Sequence, residues 1–115
     1  GRRIHLRGIN DKNFNVRSFQ ERAAINAPIQ SSAADIIRLA MIKFGELIEL
    51  NKIYDAKMLL QIHDELVFEC LKSNQISVEK TVKKTMESIS SSEYHMFTTP
   101  LDVNINSGNN WEEAH

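Results

Sequence analysis

Between Leu59 and Glu69 the sequence reads Leu-Leu-Gln-Ile, then His-Asp-Glu, then Leu-Val-Phe-Glu. Two runs rich in large or β-branched apolar residues flank a polar triplet, which predicts strand, tight reversal, strand. The reversal is chemically odd. A two-residue hairpin turn favours residues that tolerate positive φ, such as Asn-Gly or Asp-Gly, and neither His63 nor Glu65 belongs to that set. Asp64 and Glu65 also set two carboxylates side by side, where like charge raises the cost of ionising both unless a cation lies between them. Departures from local turn chemistry of this kind tend to mark functional sites.

On a regular strand Asp64 and Glu65 would point to opposite faces, whereas a sharp reversal can present both from its tip. That suits a hard divalent cation. Mg²⁺ takes oxygen ligands, keeps several waters and is usually held by one or two carboxylates together with substrate phosphates. The plainer reading makes both residues solvated turn carboxylates.

Upstream, residues 1–15 are polar and weakly patterned, an irregular connector with a short strand near residues 4–6. Ser18-Phe19-Gln20-Glu21 matches a capping box, so a helix is expected to begin there. Arg22, Asn26 and Gln30 recur every four residues and fall on one face of a continuous helix. Pro28 lacks an amide donor and clashes with the carbonyl four residues back, which predicts a break or kink near Asn26 to Ala27 and so a short helix leading into a long one. The long helix that follows carries Ala33, Ile36, Ile37, Ala40, Met41, Phe44, Leu47 and Ile48 on an apolar stripe, with Asp35, Arg38, Lys43, Glu46 and Glu49 largely opposite.

Residues 51–56 should break this helix and lead into the hairpin, residues 56–62 and 66–71. A loop at 72–75 precedes a second helix, N-capped by Ser77 and running to about Ser90, with Val78, Val82, Met86 and Ile89 inward. Ser90-Ser91-Ser92 ends it. Residues 94–99 read as an extended linker, Pro100 introduces a last strand at 101–106, and Gly108-Asn109-Asn110 turns the chain into Trp111. Helices alternating with antiparallel strands give an α+β fold, a small antiparallel sheet packed against a long kinked helix and a second helix.

The 115 residues, 42% of them hydrophobic, suffice for one modest core. Cys70 is the single cysteine and cannot form an internal disulfide, which fits a reducing cytoplasm. Its apolar surroundings make it a packing residue. No apolar run reaches membrane-span length, so a soluble chain is expected. The net charge of −1 hides an asymmetry: residues 1–43 hold eight Lys and Arg against three Asp and Glu, and residues 44–115 hold six against twelve. Every arginine lies in the first group, and guanidinium forks suit phosphate oxygens. A polyanion beside the first third fits that charge as well as a solvated basic surface does.

Four segments together resemble the A-family DNA polymerases of the bacterial DNA polymerase I type. They are Gly1-Arg2-Arg3, the run from Glu21 to Gln30 continuing through Ala33-Ala34-Asp35-Ile36-Ile37, the stretch Gln61-Ile62-His63-Asp64-Glu65-Leu66-Val67-Phe68-Glu69, and the ending Asn110-Trp111-Glu112-Glu113-Ala114-His115. The resemblance covers essentially the whole chain. It implies the C-terminal part of a polymerase palm, with residues 1–15 leading from the fingers, and a template-directed, two-metal nucleotidyl transfer. It makes Asp64 a ligand of catalytic Mg²⁺ and Glu65 a neighbouring catalytic carboxylate. Arg22, Asn26, Gln30 and His63 become DNA contacts, the amide and imidazole donors reaching minor-groove acceptors that every correct pair presents. The implied partners are primer-template DNA and deoxynucleoside triphosphates, and the implied setting is the bacterial cytoplasm at the nucleoid. Ser31 stands where the family usually has glycine.

Without the resemblance, Asn26 would be read as a helix-terminus cap and Arg22 as a surface ion pair with Glu21 or a neighbour. The family's first palm aspartate and its nucleotide-gripping fingers helix do not occur in these residues, so the chain alone is expected neither to polymerise nor to hold Mg²⁺ tightly. Two other classes compete: a non-catalytic nucleic-acid-binding module resting on the arginine-rich first third, and a metal-dependent hydrolase using His63, Asp64 and Glu65. The second lacks metal-ligand spacing among His5, His63, His95 and His115.

Overall fold

The computed structural model describes residues 3–50, 55–90 and 98–115. The chain forms two compact units, Gly1–Asp35 and Ile36–His115. Its elements in order are helix α1 (Phe14–Glu49), strands β1 (Lys57–Ile62) and β2 (Glu65–Glu69), a 3₁₀ turn (Lys72–Asn74), helix α2 (Gln75–Ser88) and the single-turn helix α3 (Trp111–Ala114).

In the first unit, α1 begins four residues before Ser18, because an alternative cap exists. Asp11 Oδ1 accepts from the Asn13 amide at 2.8 Å, and Asn13 Oδ1 accepts from the Asn15 amide at 3.0 Å. The Asn13 carbonyl takes the first helical bond, from the Arg17 amide at 3.0 Å. Asn13 is therefore the N-cap, and the expected box at Ser18 lies inside the helix. The expected break near Asn26 and Ala27 is also absent: helical geometry continues through Pro28. Pro28 removes the donor for the Ala24 carbonyl, while its own carbonyl accepts from Ser32 Oγ at 2.8 Å. The expected short strand at residues 4–6 does not form.

The second unit holds the core. Ala40 and Phe44 of α1, Ala56, Val78 and Val82 of α2, and Ile89 are buried together. Met58, Leu66, Phe68, Met86 and Ile105 pack against them half-exposed. The expected apolar stripe is thus buried at Ile37, Ala40 and Phe44, half-buried at Ile36, Met41, Leu47 and Ile48, and exposed at Ala33. Helix α2 starts at Gln75, ahead of Ser77, because the 3₁₀ turn runs straight into it and leaves Asn74 in helical geometry with no side-chain cap.

The sheet has two antiparallel strands. Lys57 opposes Glu69 and Met58 opposes Phe68, and Leu60, Gln61 and Ile62 then oppose Val67, Leu66 and Glu65. Leu59 is an extra residue, a bulge after which the strand changes face. Gln61, not Leu60, shares the core-side face with Leu66, and Leu60 remains 41% exposed. The expected third strand at 101–106 does not form, since nothing in the described sheet pairs with it, although Ile105 still packs on the core. The expected linker at 94–99 lies largely outside the described residues, as do the first part of the 51–56 break, Ser91 and Ser92. The α+β class and the hairpin stand.

Candidate functional site

His63 and Asp64 form the two-residue turn, since Ile62 and Glu65 are the last paired residues. His63 takes the first turn position with φ 50°, a left-handed geometry that costs a residue with a Cβ about 1–2 kcal/mol. The Gln61 side-chain amide donates to the His63 carbonyl and so clamps the turn from the strand below. This clamp depends on the bulge, which brings Gln61 to its place. Asp64 and Glu65 are consecutive, exposed carboxylates at the tip, and Glu65 Oε2 lies 3.6 Å from His115 Nδ1.

Two adjacent, hydrated carboxylates match the oxygen preference of a hard divalent ion, which keeps part of its water shell. They are not a complete cage. No group of three or more His, Cys, Asp and Glu side chains able to hold a metal ion occurs among the described residues. Burial first, and the Glu79 charge second, push the Cys70 thiol up, which disfavours the thiolate that a nucleophile needs.

In the first unit, the four-residue spacing along α1 brings Arg22, Asn26 and Gln30 onto one open groove of about 560 Å³. Its remaining lining is Ile4, Phe19 and the small side chains of Ala23, Ala27, Ser31 and Ala34. All three polar residues are exposed. Arg22 Nη1 donates to Ser18 Oγ at 3.0 Å, and Glu21 pairs with Arg17 at 3.7 Å, so Arg22 is not tied up by Glu21. Asn26 lies far inside the helix and caps no terminus. The groove thus offers a guanidinium and two amides over a floor of small residues, a surface able to meet phosphates and base edges.

Sequence reasoning missed Gln61 and His115. Gln61 carries no local signal for its role, because the bulge that reorients it has no signature in Met-Leu-Leu-Gln-Ile, where neither Leu59 nor Leu60 stands out as the extra residue. For His115 there was a signal: Asn110 and Glu113 stand at capping-box spacing just before it.

The sequence and fold are similar to those of known proteins. The family model for DNA polymerase family A matches residues 1–113. DNA polymerase I of Streptococcus pneumoniae serotype 4 is 47% identical over 113 residues, which cover 98% of this chain and 12% of that protein. The Rhizobium leguminosarum DNA polymerase I is 45% identical over 116 residues, and the one from Bacillus subtilis is 42% identical over 113. Among solved structures, the POL domain of Pol1 from M. smegmatis, in complex with DNA primer-template and dNTP, superposes with a TM-score of 0.83 at 39% identity. That match covers 99% of this chain and 19% of the other. The chain therefore spans about an eighth of the length of its bacterial relatives, and along nearly all of its own length it belongs to DNA polymerase family A.

Proposed function

We propose that this chain is the C-terminal part of the palm of a template-directed DNA polymerase and carries one side of its metal site. The observation that supports this most is the clamped hairpin tip, which spends left-handed backbone at His63 to present Asp64 and Glu65 together. Family membership gives that tip its meaning.

Asp64 is the carboxylate that holds Mg²⁺, and Glu65 stands beside it as a second oxygen donor or as an acceptor for metal-bound water. Bound at Asp64, divalent ions would supply the positive charge that in-line displacement by a 3′-oxygen calls for at its attacking and leaving oxygens. His63, at the same turn, offers an imidazole N–H to the primer terminus. Arg22 meets template phosphate, while Asn26 and Gln30 offer amide donors to minor-groove acceptors, which checks pairing without reading sequence. The partners are primer-template DNA and deoxynucleoside triphosphates, and the setting is the bacterial cytoplasm at the nucleoid. Because these residues supply at most two ligands, the 115-residue chain alone neither polymerises nor binds Mg²⁺ tightly.

The test is nucleotide incorporation by the polymerase that contains this chain. Asp64→Asn should lower kcat by roughly 10²–10⁴, since metal charge stabilisation is worth several kcal/mol and each 1.36 kcal/mol is tenfold. Undiminished incorporation by that variant, with DNA affinity unchanged, would remove the proposal.

A further inference from the structure

Helix α3 is a single turn, yet its start is heavily tied. Glu113 N donates to Asn110 Oδ1 at 3.0 Å, and the Glu113 carboxylate accepts from Asn109 N at 2.9 Å and from the Asn109 and Asn110 side-chain amides at 3.0 Å each. One free amide of the helix, that of Glu113, is thereby capped, and the Glu113 carboxylate in turn ties down Asn109 and the Asn110 side chain. At the other end the His115 amide closes on the Trp111 carbonyl at 2.9 Å. The His115 ring meets the Trp111 ring edge-on, centroids 6.5 Å apart and planes at 89°. Backbone and ring contacts together fix where the imidazole lies, and its Nδ1 is 3.6 Å from Glu65 Oε2.

An exposed pair at that distance adds little to stability. Its effect falls on the rotamer of Glu65. Asp64 and Glu65 repel as adjacent like charges, and the His115 ring, at ion-pair distance from Glu65 Oε2 and just beyond a hydrogen bond, favours the rotamer that keeps the carboxylate beside it. We propose that His115 is a positioning residue: it holds Glu65 in the orientation that the metal-binding tip uses. The inference rests on the polymerase reading of the tip. It assigns a role to the Asn-Asn-Trp-Glu-Glu-Ala-His segment, whose self-capped turn serves as the mount for one imidazole.

The test uses the full polymerase containing this chain, with primer-template and dNTP. His115→Phe keeps a ring against Trp111 and removes the donor. It should lower kcat about tenfold, as loss of an outer partner of a functional carboxylate does, with KM for dNTP moving less than about twofold. The thermal midpoint should not move. His115→Gln, which keeps an N–H donor, should recover most of the loss, and in a Glu65→Gln background His115→Phe should cost nothing further. Asp64→Asn is run beside them. If Asp64→Asn is inactive but His115→Phe keeps full kcat, or loses the same factor with Glu65→Gln, or falls only in step with the thermal midpoint, the positioning role is wrong and the polymerase reading survives. If Asp64→Asn retains full activity, the reading of the tip fails and the positioning role fails with it.

Discussion

The rings of Phe44 and Phe68 meet edge-on, with centroids 4.9 Å apart and planes inclined by 74°. One aromatic contact thus joins α1 to the hairpin at the centre of the core, and Phe44 is fully buried. Phe44→Ala should destabilise the second unit by about 3–5 kcal/mol through lost burial and the cavity left behind. Phe68→Leu, which keeps most of the volume but ends the ring contact, should cost about 1 kcal/mol. Urea unfolding followed by circular dichroism reads both.

At the turn, stability and function should move in opposite directions. His63 has positive φ, which glycine adopts freely. His63→Gly should raise stability by up to about 1 kcal/mol, while removing the imidazole proposed to face the primer terminus. The expected outcome is a higher melting temperature with slower incorporation in the parent polymerase. A variant improved in both would show that the imidazole has no part in the reaction.

Gly108 approaches α3 too closely for a side chain. A Cβ there would lie 2.5 Å from Glu113 Cβ and 2.8 Å from the Ala114 amide nitrogen. Gly108→Ala should therefore displace α3, and emission from Trp111, the chain's single tryptophan and 52% exposed, should shift towards that of a fully solvated indole.

The same helix should respond to acid. The Asn109 backbone amide first, and the Asn109 side chain next, hold the Glu113 carboxyl below its ordinary range. A carboxylate depressed in the folded state stabilises above its unfolded pKa, and that contribution fades as pH falls through the folded value. Docking of α3 should thus be intact at neutral pH and loosen only well into the acid range, and Glu113→Gln should flatten the Trp111 emission response there.

Arg22 is proposed to meet phosphate and Gln30 a base edge, and salt separates the two roles. In the parent polymerase Arg22→Ala should reduce the slope of log Kobs against log salt by about one, whereas Gln30→Ala should weaken duplex binding with the slope unchanged. Equal slopes for both would place Arg22 away from the backbone.

The hairpin, the buried centre of α1 and the inward face of α2 were legible because each depends on apolar periodicity, which packing enforces. Features that depend on which of two local options wins were not. Ser18 and Glu21 match the capping-box sequence, but Asp11 and Asn13 offer their side chains earlier, and the earlier cap adds a helical turn. Pro28 argued for a break, yet one missing hydrogen bond did not end a helix of 36 residues. The strand expected at 101–106 has the right composition and no described neighbour to pair with, so it stays outside the sheet. At the site, the spacing of Arg22, Asn26 and Gln30 sufficed to foresee a shared helix face, while the groove that this face lines was not foreseen from the spacing. Gln61 could not be foreseen, because its role depends on strand register.

The additional residue at Leu59 decides how the acidic tip is built. With unbroken alternation from the Met58 and Phe68 pair, Gln61 would oppose Glu65, and residues 62–64 would form a looser three-residue loop. Leu60 would then gain the sheltered side that it now forgoes. By absorbing that slack inside the strand, the hairpin shortens its turn to two residues, forces His63 into its unusual backbone and delivers the Gln61 amide to the carbonyl that must be secured. The aim of Asp64 and Glu65 is accordingly governed from lower down the strand, and grafting His-Asp-Glu onto a hairpin of different residue count would transfer the letters without their geometry.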